Sequence, residues 1–251
     1  MQRVYTTPSG EYSRLYADML NQVHLLIAGC TGSGKSTVVN GIMHAALFRA
    51  PCDIGFILID PKGTELDEYS QLPHTLLYAQ STDECLEALE YSLQLVNIRF
   101  ADMRRKRLRE YDGSHVYVII DELMYLFNRP AIKKQAMNLL QDILVIARAA
   151  RIHVIACTQN PTTATIPVTL RCNFDSRLAL RTVTAQDSRN ILGIKGCECF
   201  PVPSIERKAY GAYMQNGLIE VYNLQKIDDC KREKLIRYWL GRHGRGRLKL
   251  F

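Results

Sequence analysis

A glycine-rich loop near the start of the chain constrains the fold more than any other feature. Residues 29–36, Gly-Cys-Thr-Gly-Ser-Gly-Lys-Ser, fit the phosphate-binding pattern G-x-x-x-x-G-K-[ST]. The apolar run at 23–28 predicts a buried strand before the loop, and apolar residues at helical spacing over 35–49 predict a helix after it. A strand, a glycine loop and a helix in this order form a cradle for phosphate groups. The alternative is a glycine turn in an unrelated α/β protein.

The loop residues would bind a nucleotide through both backbone and side-chain groups. The glycines let several backbone N–H groups point inward, and the helix adds its positive amino-terminal end. Lys35 is expected to reach the β- and γ-phosphates, and Ser36 is expected to hold Mg²⁺. The predicted cofactors are ATP and Mg²⁺. The predicted nucleotide-binding residues are Gly29, Thr31, Gly32, Ser33, Gly34, Lys35, Ser36 and Thr37.

An acidic pair follows a second apolar strand. The run at 115–120 is almost continuously apolar, as in a parallel sheet covered on both faces, and it leads into Asp121-Glu122. Ligands of such sheets bind at the carboxyl ends of the strands. Asp121 is therefore a candidate Mg²⁺ ligand, through water, and Glu122 is a candidate base that polarises the attacking water. The alternative is a solvated pair that caps the next helix.

Strands and helices alternate along the chain. The predicted strands lie near 23–28, 54–60, 115–121, 152–158 and 176–182, and the predicted helices near 35–49, 83–110, 131–150, 186–192 and 229–240. This alternation predicts an α/β fold with a mostly parallel central sheet and helices on both faces. Asn216-Gly217 separates two further apolar runs and predicts a hairpin.

Composition favours a reduced, intracellular setting. A chain of 251 residues can form one large α/β core without a second domain. No apolar run is long enough for a membrane helix, and residues 1–10 contain no secretion signal. The eight cysteines are scattered, which suits reduced thiols, and Cys197-Glu198-Cys199 lacks zinc-site spacing. We therefore expect a cytoplasmic protein.

The positive charge is concentrated at the end of the sequence. Residues 231–251 contain eight Lys and Arg residues against Glu233 alone, so their net charge equals the +7 of the whole chain. The glycine- and arginine-rich stretch at 241–247 suits a flexible tail that binds a polyanion by releasing counterions. A solubilising end is the alternative. A second basic cluster at 104–107 is weak evidence by itself, because the macrodipole favours cations at the end of a helix.

Several separate motifs together resemble the motor domains of the FtsK/SpoIIIE family. Residues 58–69 are similar to that family's segment I-D-P-K-x-x-E-L-x-x-Y, and Pro73-His74 follows as it does in the family. Residues 147–161 are similar to its A-R-A-x-G-I-H stretch and its T-Q-x-P sensor, and residues 187–192 resemble its D-S-R-x-I-L. The likeness covers roughly residues 14–223, with the motifs in matching order.

The resemblance implies a RecA-like P-loop NTPase that uses ATP to thread double-stranded DNA through a homo-oligomeric, usually hexameric, ring. It implies a motor domain over 1–228 with a short lead-in at 1–13, and a C-terminal helix and basic tail over 229–251. Gln159 would sense the γ-phosphate, and the loop at 162–167 matches the position of a pore loop. An arginine would reach the nucleotide of the neighbouring subunit, with Arg148, Arg181 and Arg189 as candidates. The predicted catalytic residues are therefore Lys35, Glu122, Gln159 and Arg189.

The chain also departs from the family pattern. Arg151 stands where the family prefers glycine, the short segment 110–114 replaces a long insertion, and the family's C-terminal DNA reader has no counterpart. These departures favour a compact motor that moves the DNA of a plasmid, conjugative element or phage, with a membrane-bound or relaxase-type partner recruited through the basic tail. Two other functions stay open: a type VII secretion ATPase of the EccC kind, and a nucleotide-gated adaptor without motor activity.

Overall fold

The computed structural model describes residues 4–5, 12–49, 52–162, 165–204, 209–224 and 226–241. The strands are β1 (Val4–Tyr5), β2 (His24–Ala28), β3 (Ile54–Ile59), β4 (Thr75–Ala79), β5 (His115–Ile120), β6 (Ile152–Thr158), β7 (Ser176–Ala179), β8 (Ala209–Gln215) and β9 (Leu218–Leu224). The helices are α1 (Tyr12–Leu20), α2 (Lys35–Arg49), α3 (Thr82–Lys106), α4 (Leu123–Phe127), α5 (Pro130–Ile146), α6 (Val168–Arg171), α7 (Ala185–Leu192) and α8 (Asp229–Leu240). The chain divides into two compact units.

The first unit comprises Met1–Ala46 and Cys157–Arg232. Its strands lie in the order β1-β9-β8-β7-β2. The pairs β2–β7 and β1–β9 are parallel, whereas β8 is antiparallel to both β7 and β9. The predicted hairpin connects β8 to β9, and its two turn residues, Asn216 and Gly217, have φ angles of 50° and 76°. Asn and Gly tolerate these left-handed angles, which a tight two-residue hairpin turn requires.

The second unit comprises Leu47–Ala156 and Glu233–Phe251. Its strands lie in the order β6-β5-β3-β4, and every pair is parallel. All residues of β3 and all but the first of β5 are buried, which explains why both strands are continuous apolar runs in the sequence. Helix α3 packs against α5, and its start is fixed by a capping box between Ser81 and Glu84. Parallel pairs dominate, so the predicted α/β class with a mostly parallel sheet is confirmed.

The observed elements differ from the predicted ones in several places. Helix α3 ends at Lys106 instead of 110, because Arg107 takes a left-handed conformation with φ 56°. The predicted helix at 131–150 is Pro130–Ile146, and the short helix α4 before it was not predicted. Strand β7 ends at Ala179 instead of 182. Strands β1 and β4 and helices α1 and α6 were also not predicted.

Two sequence predictions concern segments outside the described residues. Residues 242–251 of the basic tail and residues 163–164 of the predicted pore loop are not among them. Helix α8 has the predicted bounds, and the proposed division between residues 228 and 229 stays a prediction. Across the described ranges, no helix is long and apolar enough to cross a membrane.

Candidate nucleotide-binding site

The glycine loop connects β2 to α2 in the first unit and is held by the strands around it. The backbone N–H of Gly29 donates to the carbonyl of Thr158, with 3.2 Å between N and O. The N–H of Cys30 donates to the carbonyl of Arg181 at 2.9 Å. The start of the loop is therefore fixed between the ends of β6 and β7, as a preformed site requires.

Either an unusual backbone angle or close packing explains each glycine of the loop. Gly32 and Gly34 have φ angles of 72° and 102°, which side chains other than glycine rarely adopt. A Cβ on Gly34 would lie 2.8 Å from Cβ of Ala209, and one on Gly29 would lie 2.5 Å from Oγ of Ser33. A Cβ on Gly32, by contrast, would meet no described atom within 4 Å. The loop is tightly packed at its two ends and open along its middle, which fits a bound phosphate chain.

Lys35 begins α2 and folds back over the loop. Its Nζ donates to the carbonyl of Gly29 at 2.7 Å and to that of Cys30 at 3.1 Å. The first turn of α2 contains no acidic residue, so the helix presents its N–H groups and its positive end without a competing carboxylate. Ser36 and Thr37 occupy this turn, where a hydroxyl can meet both a phosphate and its metal ion. These residues suit the triphosphate of ATP and one hard cation.

Gln159, the sensor candidate implied by the family resemblance, lies beside the loop. Oγ1 of Thr31 donates to Oε1 of Gln159 over 2.9 Å. Gln159 directly follows β6, so the strand brings its amide to the loop. A side-chain amide at this place can respond to an occupant of the loop, although the sensor role itself stays a prediction.

Asp60 organises the loop after β3 in the second unit. It is fully buried. Its two carboxylate oxygens accept hydrogen bonds of 2.9–3.2 Å from the backbone N–H groups of Lys62, Gly63, Glu65 and Leu66. Sequence patterns assign no separate role to Asp60, whereas in the structure it anchors the segment that resembles the family motif.

Asp121 lies at the carboxyl end of β5, next to the end of β3. The N–H of Asp121 donates to the carbonyl of Ile59 at 3.0 Å, which fixes its position against the Asp60 loop. Burial is the main cause that raises the pKa of Asp121 from 3.8 to about 6. The negative charges of Asp60 and Glu65 add to the shift, and Lys62 opposes it. A carboxylate held among other carboxylates is one whose charge a divalent cation would stabilise.

Glu122 combines features of the catalytic and the capping interpretation. It is the N-cap of α4, and its Oε1 accepts a 3.3 Å hydrogen bond from the N–H of Met124. Its exposed fraction is only 6%, so the solvated pair of the capping alternative is not what the structure contains. A buried carboxylate at the end of a parallel strand is well placed to act on a bound ligand.

Replacing Asp121 by Asn should stabilise the protein above pH 6 in the absence of Mg²⁺. Because the native state raises this pKa, the folded chain keeps a proton that the unfolded chain has lost between pH 4 and pH 6, and stability falls as pH rises through that window. Asn carries no such charge, so the variant should gain about 1–3 kcal/mol at pH 7.5. Thermal unfolding in EDTA measures the gain, which should vanish toward pH 4.

Asp142→Asn serves as the matched control, because Asp142 is an exposed carboxylate on α5. Its melting temperature should stay within about 1 °C of the wild type at both pH values. An Asp121→Asn variant that is no more stable than the wild type at pH 7.5 would contradict the assigned electrostatic environment.

The three candidate arginines lie in different surroundings. Arg148 follows α5 and is exposed, and Arg189 is exposed on α7. Arg181 is half-buried, and its Nη1 lies 3.4 Å from Sγ of Cys30 in the loop of its own chain. Arg148 and Arg189 are exposed, as an arginine that reaches another subunit must be. Arg181 already contacts the glycine loop of its own chain.

One contact of the site, and one backbone conformation outside it, were not visible in the sequence. The contact between Cys30 and Arg181 depends on β7 lying next to β2, and no local pattern signals that neighbourhood. Arg151, where the family prefers glycine, has a left-handed φ of 53°. Two hydrogen bonds offset the cost of this conformation, because the guanidinium donates to Oε1 of Glu110 at 2.8 Å and to the carbonyl of Gly113 at 3.2 Å.

Curated proteins similar to this chain include DNA translocases of two bacteria. The chain is 33% identical over 208 residues to the DNA translocase FtsK of Borreliella burgdorferi, covering 76% of this chain and 26% of the relative. It is 36% identical over 201 residues to the DNA translocase FtsK of Staphylococcus aureus, covering 71% of this chain and 25% of the relative. The chain thus spans about a quarter of the length of these relatives.

Solved structures with a similar fold include a conjugation coupling protein and a type VII secretion ATPase. The pCW3 conjugation coupling protein TcpA, solved with ATPγS, superimposes with a TM-score of 0.75 at 19% identity, covering 88% of this chain and 66% of that one. The cytoplasmic domain of the Thermomonospora curvata type VII secretion ATPase EccC gives 0.73 at 19% identity, covering 86% and 28%. Both likenesses support the predicted P-loop ATPase fold. The model of the FtsK/SpoIIIE family matches residues 7–203, and the chain therefore belongs to that family.

Proposed function

We propose that this chain is an ATP-driven motor that moves double-stranded DNA. The observation that carries the proposal is the glycine loop in the first unit, where Lys35 bridges two loop carbonyls and Gln159 accepts from Thr31. Family membership supplies the link from a phosphate site to DNA movement, since the curated relatives are DNA translocases. Double-stranded DNA as the substrate, and the coupling of ATP hydrolysis to its movement, are proposals because the chain matches only part of each relative.

The proposed chemistry assigns one task to each side chain. Lys35 and the N–H groups at the start of α2 bind and orient the phosphates. Ser36 and Asp121 would hold Mg²⁺, which stabilises negative charge on the phosphates when it is bound. Glu122 orients the attacking water and accepts its proton, and Gln159 senses the terminal phosphate.

Assembly into a homo-oligomeric ring, with six subunits as the expected number, is part of the proposal. The exposed position of Arg189 on α7 supports a role at the nucleotide of the neighbouring subunit. A site completed by a neighbour should hydrolyse ATP faster per subunit as protein concentration rises.

The identity of the DNA and of further partners is also proposed. The DNA of a plasmid, conjugative element or phage is the proposed substrate, and TcpA, a conjugation coupling protein, supports the conjugative interpretation because its fold is similar. The tail would bind DNA or a membrane-bound or relaxase-type protein, and the protein would act in the cytoplasm.

A protein-translocating ATPase is the second candidate. The similarity of fold to EccC, with a TM-score of 0.73, favours it about as much as the similarity to TcpA favours a DNA motor. The relatives at 33% and 36% identity are DNA translocases, and they favour DNA as the substrate. A nucleotide-gated adaptor is less favoured, because both Asp121 and Glu122 are present.

Linear double-stranded DNA should stimulate ATP hydrolysis. Phosphate contacts dominate the binding of such a motor, so the stimulation should decline steadily as salt is raised. The measurement is the steady-state ATPase rate with and without duplex DNA across a salt series, with polyglutamate as a polyanion that is not a nucleic acid. A rate that DNA does not change, or that polyglutamate raises equally, would count against the DNA motor.

A further inference from the structure

The guanidinium of Arg181 is built into the glycine loop of its own chain. Arg181 follows β7, the neighbour of β2, and its carbonyl accepts the N–H of Cys30 at 2.9 Å. Its side chain returns to the same residue, with Nη1 3.4 Å from Sγ of Cys30. Backbone and side chain thus both fix Arg181 to the second residue of the loop.

Two cationic side chains meet at Cys30. Nζ of Lys35 lies 3.1 Å from the carbonyl oxygen of Cys30, and Nη1 of Arg181 lies 3.4 Å from its sulfur. Among the described residues, no carboxylate forms an ion pair with Arg181. Two positive charges brought to one residue without a carboxylate for the arginine favour an anion at this place.

The sulfur of Cys30 is a poor acceptor for a guanidinium. A thiol accepts hydrogen bonds weakly, whereas an arginine presents five donors in a planar fork. A phosphate oxygen would accept a shorter and stronger charge-assisted bond from the same group. The contact with sulfur therefore holds Arg181 at the loop without engaging most of its hydrogen-bonding capacity.

We infer that Arg181 binds the terminal phosphate of a nucleoside triphosphate held by its own P-loop. The Cys30 end of the loop is where Lys35 folds back, and this lysine is the one that reaches the β- and γ-phosphates in such loops. Arg181 would thus distinguish ATP from ADP within one subunit. The inference rests on the proposed function and assigns Arg181 to the nucleotide of its own subunit instead of a neighbour's.

Nucleotide affinities test the inference without any need for DNA or turnover. Loss of a charge-assisted contact to one phosphate should weaken ATPγS binding by Arg181→Ala about 10- to 100-fold and leave ADP binding within about threefold of the wild type. The affinity of Arg181→Lys for ATPγS should lie between those of the wild type and of Arg181→Ala, because lysine keeps the positive charge but lacks the planar fork of donors. The matched control is Arg237→Ala, an exposed arginine on α8 whose variant should bind both nucleotides as the wild type does.

Mixed oligomers separate a contact within the subunit from one across subunits. In a mixture of Arg181→Ala and Glu122→Gln subunits, no subunit carries both its own Arg181 and its own Glu122, whatever the composition of the oligomer. Arg181 acting within its own subunit therefore predicts no recovery of ATPase activity on mixing. Recovery would show that Arg181 serves a neighbour and would overturn the inference.

The outcomes distinguish this inference from the proposed function. Equal loss of ATPγS and ADP affinity in Arg181→Ala would overturn it by showing a general effect on the loop. Unchanged affinity for ATPγS in both Arg181 variants would overturn it while leaving the motor proposal intact. Arg181→Ala should retain the wild-type melting temperature within a few degrees, because the backbone bond to Cys30 does not involve the side chain.

Discussion

Replacing Glu122 by Gln should leave ATP binding intact and slow hydrolysis by about 100-fold or more. Gln has the size of Glu and keeps an oxygen that can accept the N–H of Met124, so the N-cap of α4 survives the change. What Gln lacks is the basicity to accept a proton from water. Steady-state ATPase rates, with nucleotide affinity measured in parallel, check both halves of the expectation.

The matched control for this variant is Glu110→Gln. Glu110 is an exposed carboxylate of the same unit and pairs with Arg151, away from the carboxyl ends of the strands. Its variant should hydrolyse ATP at nearly the wild-type rate. If Glu122→Gln kept more than about one third of the wild-type rate, Glu122 would not be the base.

Replacing Lys35 by Ala should weaken nucleotide binding by about 100-fold or more. The ammonium lies on the carbonyls of Gly29 and Cys30, so its removal takes a positive charge from the place where the phosphates are expected. A charge-assisted hydrogen bond contributes about 1.5–3 kcal/mol, and a lysine that bridges two phosphates makes more than one. Binding of a fluorescent ATP analogue, titrated at constant Mg²⁺, measures the loss.

Lys134→Ala is the control for Lys35→Ala, since Lys134 is exposed on α5 and should have no effect on binding. Both variants should remain folded, with far-UV circular dichroism unchanged. Binding by Lys35→Ala within about threefold of the wild type would remove the glycine loop from the nucleotide site.

The sequence predicted the strands well where burial makes them continuous apolar runs. The prediction of 152–158 coincides with β6, and β3 and β5 each end one residue earlier than predicted. In both cases the extra residue is the acid that follows the strand. β4 was missed because it is half-buried along most of its length, so its pattern lacks the contrast of a central strand.

A left-handed residue other than glycine explains the error at the end of α3. Arg107 and Arg151 both have positive φ, and neither residue type signals such a conformation in a sequence. For Arg151, hydrogen bonds to residues distant along the chain offset the cost of this backbone conformation. Arg151 binds Glu110 and Gly113, 41 and 38 residues away.

Some parts of the candidate site follow from local sequence patterns, and others depend on contacts between residues far apart in the chain. The glycine loop and the acidic pair after β5 could be found from sequence, because each follows an apolar strand directly. The pairs Thr31–Gln159 and Cys30–Arg181 span 128 and 151 residues, and they depend on the order of strands in the sheet. Only the resemblance to a known family pointed to Gln159 in advance, and nothing distinguished Arg181 from the other candidate arginines.

The central claim, ATP-driven movement along duplex DNA, is tested most directly by displacement of a third strand from a DNA triplex. The wild-type chain should release the third strand from linear duplex DNA with ATP and Mg²⁺, and it should fail to do so with ATPγS. Glu122→Gln should bind the same DNA and release nothing. Failure of the wild type to displace the strand under conditions where it hydrolyses ATP and binds the DNA would contradict the account.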